Sequence, residues 1–251
     1  MECKRCASVA IRPLLTPQIF RYAGDISHLS SKAILMFAIH HNRSAEGSWP
    51  LSPRLEEAPL TLLVGVSLIT QILYAVVFCT RYIDIFYETI RWNFFFKIFY
   101  ISSSLYIIAI MQWVFPRTRE REISWKIGAG ILGGSLLLSP FVMLIFEKWW
   151  SFSQWLWDFS EILEAVCVLP QLVLLRQTSV PTVINSFYLV TLGLYRLLYV
   201  LNWIWRGLDP TSRSPNAVSV IFGVIQTALF VDFFWVRACP APGTTWQSIR
   251  Q

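Results

Sequence analysis

Long apolar runs, separated by short polar segments, follow one another along most of the 251-residue chain. The runs approach the length of about 20 residues that a helix needs to cross the hydrocarbon core of a bilayer. We therefore predict seven membrane-spanning helices, over residues 26–41, 68–86, 92–115, 125–146, 155–175, 183–205 and 217–236. An odd number of spans places the two termini on opposite sides of the membrane.

The composition supports this interpretation. Hydrophobic residues make up 55% of the chain and charged residues only 14%, whereas a soluble domain carries roughly a quarter charged residues. The net charge of +6 is spread over short segments without a lysine-rich block, which speaks against nucleic-acid binding. The five cysteines form no paired framework, so we predict no metal site and no cofactor. The predicted fold class is an all-α polytopic membrane protein.

Basic residues set the predicted orientation. The segment "RTREREISWK", residues 117–126, is rich in arginine and lysine, and such loops stay in the cytoplasm. This places the N-terminus in the lumen and the C-terminus in the cytosol, although Lys4, Arg5 and Arg12 near the N-terminus favour the opposite orientation.

Three regions follow from this pattern: an N-terminal extension over residues 1–19, a seven-helix membrane domain over residues 20–237 and a C-terminal tail over residues 238–251. The first cytosolic loop contains "SWPLSPRLEEAPLTLLVG", residues 48–65. Its three prolines exclude a regular helix through the first half. We interpret this segment as an atypical insertion.

The run "LGLYRLLYVLNWIWR", residues 192–206, combines apolar residues with arginines. At helical spacing its polar groups form two adjacent stripes, Tyr195, Tyr199 and Asn202 beside Arg196, Trp203 and Arg206. An arginine that faces lipid costs at least a few kcal/mol, so such groups turn toward the interior of the bundle. We predict that this helix forms one wall of a polar cavity.

Further ionisable groups occur at membrane depth and are candidates for a site by the same reasoning. They are Arg21, Asp25, His28, Arg81, Asp84, Glu161, Glu164 and Asp232. The chain holds no nucleophile and base in a recognisable hydrolase motif, and we predict that it is not an enzyme. Arginines among aromatic side chains suit an anion such as a peptide carboxylate, because the guanidinium offers a bidentate fork.

Five segments resemble, in order, the receptors that return escaped ER proteins ending in KDEL or HDEL from the Golgi. They are "FRYAGDISHLSS" (20–31), "AVVFCTRYIDIF" (75–86), "LWDFSEILEAVCVLPQL" (156–172), "LGLYRLLYVLNWIWR" (192–206) and "GVIQTALFVDFFW" (223–235). The pair Pro170-Gln171 is also found in PQ-loop and SWEET-type transporters. The resemblance therefore implies a SWEET/PQ-loop-like bundle of seven helices in ER and Golgi membranes.

The resemblance implies a peptide-binding set of Arg21, Arg81, Tyr82, Asp84, Trp157, Trp203 and Arg206. Arg81 would hold the terminal carboxylate, and Arg21 and Arg206 would meet the two acidic side chains of the signal. Asp84, aided by Trp157 and Trp203, would receive the basic first residue.

The resemblance also implies a pH switch that pairs His28 with Tyr195 and Glu164 with Arg196. A histidine has an unperturbed pKa of about 6.5, so a modest fall in lumenal pH charges it. Protonated His28 would favour the signal-bound form in the Golgi, and the higher pH of the ER would release the cargo.

Besides the insertion at residues 48–65, the chain departs from the family at two further places. Gln154 stands where the family often has an acidic residue, which leaves the choice between KDEL and HDEL open. The tail lacks the lysine-rich segment with which the family recruits coat proteins of retrograde vesicles. The expected partners are the signal tetrapeptide, membrane lipid and these coat proteins. The alternative function is a SWEET-like small-solute transporter with a site at the membrane midplane.

Overall fold

The structure, a computed structural model, describes residues 3–46, 66–87, 91–114, 122–147, 149–177, 183–210, 212 and 214–238. Its α-helices are α1 (Cys3–Glu46), α2 (Leu68–Arg81), α3 (Arg91–Ala109), α4 (Glu122–Phe146), α5 (Phe152–Val166), α6 (Leu169–Gln177), α7 (Val183–Leu208) and α8 (Ala217–Ala238). A 3₁₀ helix at Ile83–Tyr87 follows α2, and a π-helical turn at Ile110–Val114 extends α3. Within these ranges every regular element is helical.

Four helical segments in the described ranges are long and apolar enough to cross a membrane, namely Asn93–Val114, Ser124–Phe146, Phe187–Leu208 and Ala217–Trp235. The outer surface is apolar as well; on α4, for example, Leu137, Leu144 and Ile145 are largely exposed. An exposed apolar surface of this kind is the one that lipid covers. The protein is an all-helical polytopic membrane protein.

The described helices pack around a main apolar core, beside which Val142, Ile162 and Val218 form a second, smaller cluster. α1 lies along α7, α2 contacts α3 and α5, and α5 also contacts α4 and α8. Fully buried side chains from four of these helices meet in the centre, among them Leu35, Leu73, Phe78, Leu163 and Leu189. The packing of this core therefore fixes the relative positions of α1, α2, α5 and α7 and of the polar side chains that they carry.

The predicted bounds agree closely with the structure for α3, α4, α7 and α8, and poorly for the first helix. The prediction began that helix at residue 26, but α1 begins at Cys3. Hydropathy marks the part of a helix that lies in lipid, whereas backbone hydrogen bonding continues through polar sequence. The boundary that we predicted between residues 19 and 20 lies inside this continuous helix.

The prediction of one helix over residues 155–175 is wrong, because α5 ends at Val166 and α6 begins at Leu169. The cause is Pro170. Its ring clashes with the carbonyl of the residue four positions earlier, which is Val166, and it has no N–H to donate to that carbonyl.

Gln171, the residue after this proline, joins the start of α6 to the start of α2. Its side-chain Oε1 accepts a hydrogen bond from the Ser67 amide at 2.6 Å, and its own amide donates to Thr70 Oγ1 at 3.1 Å. The Pro-Gln pair thus breaks one helix and ties the break to the beginning of another.

The second predicted helix, residues 68–86, is also shorter than expected, because the α-helical part ends at Arg81. The tighter 3₁₀ turn at Ile83–Tyr87 continues the chain and carries Asp84. The predicted insertion at residues 48–65 and the tail beyond residue 238 lie outside the described residues.

Candidate ligand-binding pocket

A pocket of about 340 Å³ opens between α1, α2, α3, α5 and α7. Its lining residues are Arg21, Asp25, Arg81, Tyr82, Asp84, Asn93, Phe96, Lys97, Tyr100, Trp157 and Tyr199. Three of these side chains are basic, two are acidic and five are aromatic. The pocket therefore suits a ligand that carries charges of both signs and an apolar part.

Arg81, on the last turn of α2, directs its guanidinium toward α5. Its Nε donates a hydrogen bond to Ser160 Oγ at 3.0 Å, and its Nη1 forms an ion pair with Glu164. Its Nη2 lies 3.2 Å from Glu161 Oε1. The side chain is 15% exposed, so the guanidinium lies at the floor of the pocket between two internal carboxylates.

Glu164 is shared by two arginines. One carboxylate oxygen accepts a hydrogen bond from the Tyr195 hydroxyl at 2.6 Å and pairs with Arg196, while the other pairs with Arg81. Arg196 Nε also donates to the Tyr195 hydroxyl at 2.8 Å. Glu164 and Arg196 are buried. We call Arg81, Glu161, Glu164, Tyr195 and Arg196 the Glu164 cluster.

His28 lies next to this cluster. Its ring stacks on Tyr195 at a centroid distance of 4.2 Å and on Tyr100 at 4.5 Å. Its Nε2 is buried and has no hydrogen-bond partner among the described residues. The contact between His28 and Tyr195 is the pairing that the resemblance implied.

Lys32, one helical turn beyond His28, is a buried cation that the sequence analysis missed. Its Nζ donates to Ser104 Oγ at 3.0 Å and lies above the rings of Tyr74 and Phe78, at 5.3 and 5.1 Å. The criterion that identified the arginines could also have identified Lys32, because it is an ionisable residue within a predicted membrane span.

Asp84 and Lys97 form an ion pair at the rim of the pocket. Lys97 Nζ lies 2.9 Å from each carboxylate oxygen of Asp84. Lys97 belongs to the third predicted span, so the same membrane-depth criterion could have identified it. The pair connects α3 to the 3₁₀ helix.

The opposite wall is formed where α1 approaches α7. The Tyr199 hydroxyl donates to Asp25 Oδ1. A Cβ added to Gly24 would lie 2.8 Å from the Tyr199 ring, so this approach requires glycine. Tyr199 belongs to the polar stripe that the spacing of this helix predicted.

Comparison with known proteins decides the family. The sequence profile described as ER lumen protein retaining receptor matches residues 63–206. A receptor of that name from Kluyveromyces lactis is 38% identical over 223 residues, covering 87% of this chain and 91% of the relative. Receptor A of Arabidopsis thaliana is 35% identical over 86% of this chain and 92% of the relative. The Saccharomyces cerevisiae receptor is 34% identical with the same coverage.

The chain belongs to the ER lumen protein retaining receptor family. The family resemblance noted in the sequence is thereby confirmed.

In this family member, five of the seven predicted ligand residues line the pocket: Arg21, Arg81, Tyr82, Asp84 and Trp157. The other two, on α7, do not line it. Trp203 packs edge-on against Tyr199 at 6.1 Å and faces Gly223 of α8. Arg206 follows on the last turn of α7. The ligand role of all seven residues stays a prediction.

Proposed function

We propose that this protein is a receptor that binds the C-terminal KDEL- or HDEL-type signal of ER lumenal proteins in the Golgi and returns them to the ER. Membership of the receptor family supports the general role. The observation that carries the proposal is the charge of the pocket, whose lining includes the basic residues Arg21, Arg81 and Lys97 together with the acidic residues Asp25 and Asp84. A signal with one basic residue, two acidic residues and a free carboxylate has the complementary charges.

In this proposal Arg81 holds the terminal carboxylate of the signal. The Arg81 guanidinium already contacts Glu161 and Glu164. Binding of the signal therefore replaces one of these internal carboxylates with the terminal carboxylate of the ligand. Arg21 and Arg206 meet the two acidic side chains, and Asp84 with Trp157 and Trp203 receives the basic one. Arg206 and Trp203 would reach a peptide that extends beyond Tyr199 toward the end of α7.

We further propose that lumenal pH acts through the Glu164 cluster. His28 stacks on Tyr195, Tyr195 donates to Glu164, and Glu164 holds Arg81 at the floor of the pocket. A change in the charge of His28 would alter the Tyr195 contact and, through Glu164, the availability of Arg81. Such a coupling changes affinity tenfold for each 1.4 kcal/mol or so of differential interaction.

The proposed setting is a seven-span, SWEET-like bundle in ER and Golgi membranes, with a lumenal N-terminus and a cytosolic C-terminus. Lipid covers the apolar outer surface, and coat proteins of retrograde vesicles are the proposed cytosolic partners. We propose a binding protein and not an enzyme.

Titration of the purified protein with peptides ending in Lys-Asp-Glu-Leu and His-Asp-Glu-Leu tests the proposal. We expect binding at about pH 6 that weakens at about pH 7.4, because these two values lie on either side of the reference histidine pKa of about 6.5. The same peptides with amidated C-termini serve as controls and should bind much more weakly. Absence of binding at both pH values, with solute flux in liposomes instead, would favour the transporter alternative.

A further inference from the structure

Asp84 is the accessible carboxylate of the pocket. Its side chain is 61% exposed, whereas the other lining carboxylate, Asp25, accepts a hydrogen bond from Tyr199 and is half-buried. A ligand cation that enters the pocket therefore reaches Asp84 more readily than Asp25, because the Asp84 carboxylate is the more exposed of the two.

Asp84 is already occupied by a cation of the protein itself. Lys97 Nζ contacts both of its oxygens at 2.9 Å. The Lys97 side chain is only 12% exposed and its ammonium lies 5.9 Å from the centre of the Tyr82 ring. The Lys97 ammonium therefore occupies the position beside Asp84 that the ammonium of a bound ligand would otherwise take.

We propose that Lys97 is an intramolecular competitor for the basic residue of the ligand and that it determines selectivity at this position. The proposal rests on the proposed function. A ligand lysine gains Asp84 only by displacing Lys97, while a ligand with a neutral first residue leaves the internal pair intact. Lys97 thus reduces the advantage of a basic residue over a neutral one.

The expected size follows from the exposure of the pair. Ion pairs with one exposed partner contribute little, so removing the competitor should raise the preference for a basic first residue by about two- to fivefold. The experiment compares peptides ending in Lys-Asp-Glu-Leu and Ala-Asp-Glu-Leu, titrated against the full-length protein. The measured quantity is the ratio of their affinities.

Lys97→Met keeps most of the length of the side chain and removes its charge, and we expect it to raise this ratio. Lys97→Arg keeps the charge and forms a bidentate pair with Asp84, so we expect it to lower the ratio. Lys126→Met, at an exposed lysine of α4 outside the pocket, is the control and should leave the ratio unchanged.

A fall in affinity for both peptides with an unchanged ratio would assign Lys97 to the acidic part of the ligand and overturn the proposal. Unchanged affinities would overturn it as well. If Lys97→Met does not fold, an unchanged affinity ratio in Lys97→Arg would overturn the proposal. Failure of the wild type to bind either peptide would instead refute the proposed function, on which the role of Lys97 depends.

Discussion

Glu164 should be the carboxylate on which the stability of the bundle depends most. Its two oxygens serve Arg81, Arg196 and the Tyr195 hydroxyl, and it is 1% exposed. Glu164→Gln keeps the shape but removes the charge. Arg81 retains Glu161, whereas Arg196 pairs with no other carboxylate of the described residues. The variant therefore leaves one buried guanidinium uncompensated.

Breaking a buried ion pair by removing one partner costs about 3–5 kcal/mol. We expect the lower end, about 3 kcal/mol, because the amide oxygen of glutamine still accepts one hydrogen bond. At about 2–4 °C for each kcal/mol in a chain of this size, the melting temperature should fall by roughly 6–12 °C. Intrinsic tryptophan fluorescence during a thermal ramp of the detergent-purified protein measures it.

Glu161→Gln is the matched control, because it removes a carboxylate from the same helix but leaves Arg81 paired with Glu164. We expect its melting temperature to fall by less than half as much. The double variant Glu164→Gln with Arg196→Met should lose at least about 1 kcal/mol less than the sum of the single variants. Additive effects, or a wild-type melting temperature for Glu164→Gln, would refute the role assigned to Glu164.

Five further variants test the pocket and its surroundings. Arg81→Lys should bind the free-carboxylate peptide poorly, since an ammonium lacks the bidentate fork, and the gap between free and amidated peptides should narrow in the same titration. His28→Ala should give equal peptide affinities at about pH 6 and about pH 7.4, the range around the histidine reference value; a persisting difference would assign the switch to another group. Gly223→Ala would place its Cβ 2.4 Å from the Trp203 ring. We expect it to lower stability by about 1–3 kcal/mol and to weaken peptide binding as the ring moves, measured by thermal melt and titration. Lys32→Met should raise the melting temperature, because methionine keeps the packing of the stem without a buried ammonium, whereas Ser104→Ala should lower stability by about 1–3 kcal/mol by leaving that ammonium without its acceptor; the opposite order would contradict the role of this hydrogen bond.

The sequence alone was sufficient to predict the class of the protein and several of the residues that line the candidate pocket. The length and polarity of the apolar runs predicted α3, α4, α7 and α8 to within a few residues, because the bilayer imposes a length on any helix that crosses it. The cost of placing an ionisable group in lipid identified Arg81, Glu164 and Arg196 as inward-facing. The order of the quoted segments identified the family.

Partner choice, by contrast, was decided only by the tertiary structure. Periodicity assigns a residue to a face of one helix, but whether Arg81 meets Glu161, Glu164 or a ligand depends on how α2 and α5 pack. The contact of Lys97 with Asp84 depends in the same way on α3 and on the tight 3₁₀ turn that replaces the end of the predicted second helix. Charge at membrane depth is thus predictable from the chain, because burying it in lipid is costly for any sequence. The identity of its partner is not, because that is set by the packing of helices far apart in the sequence.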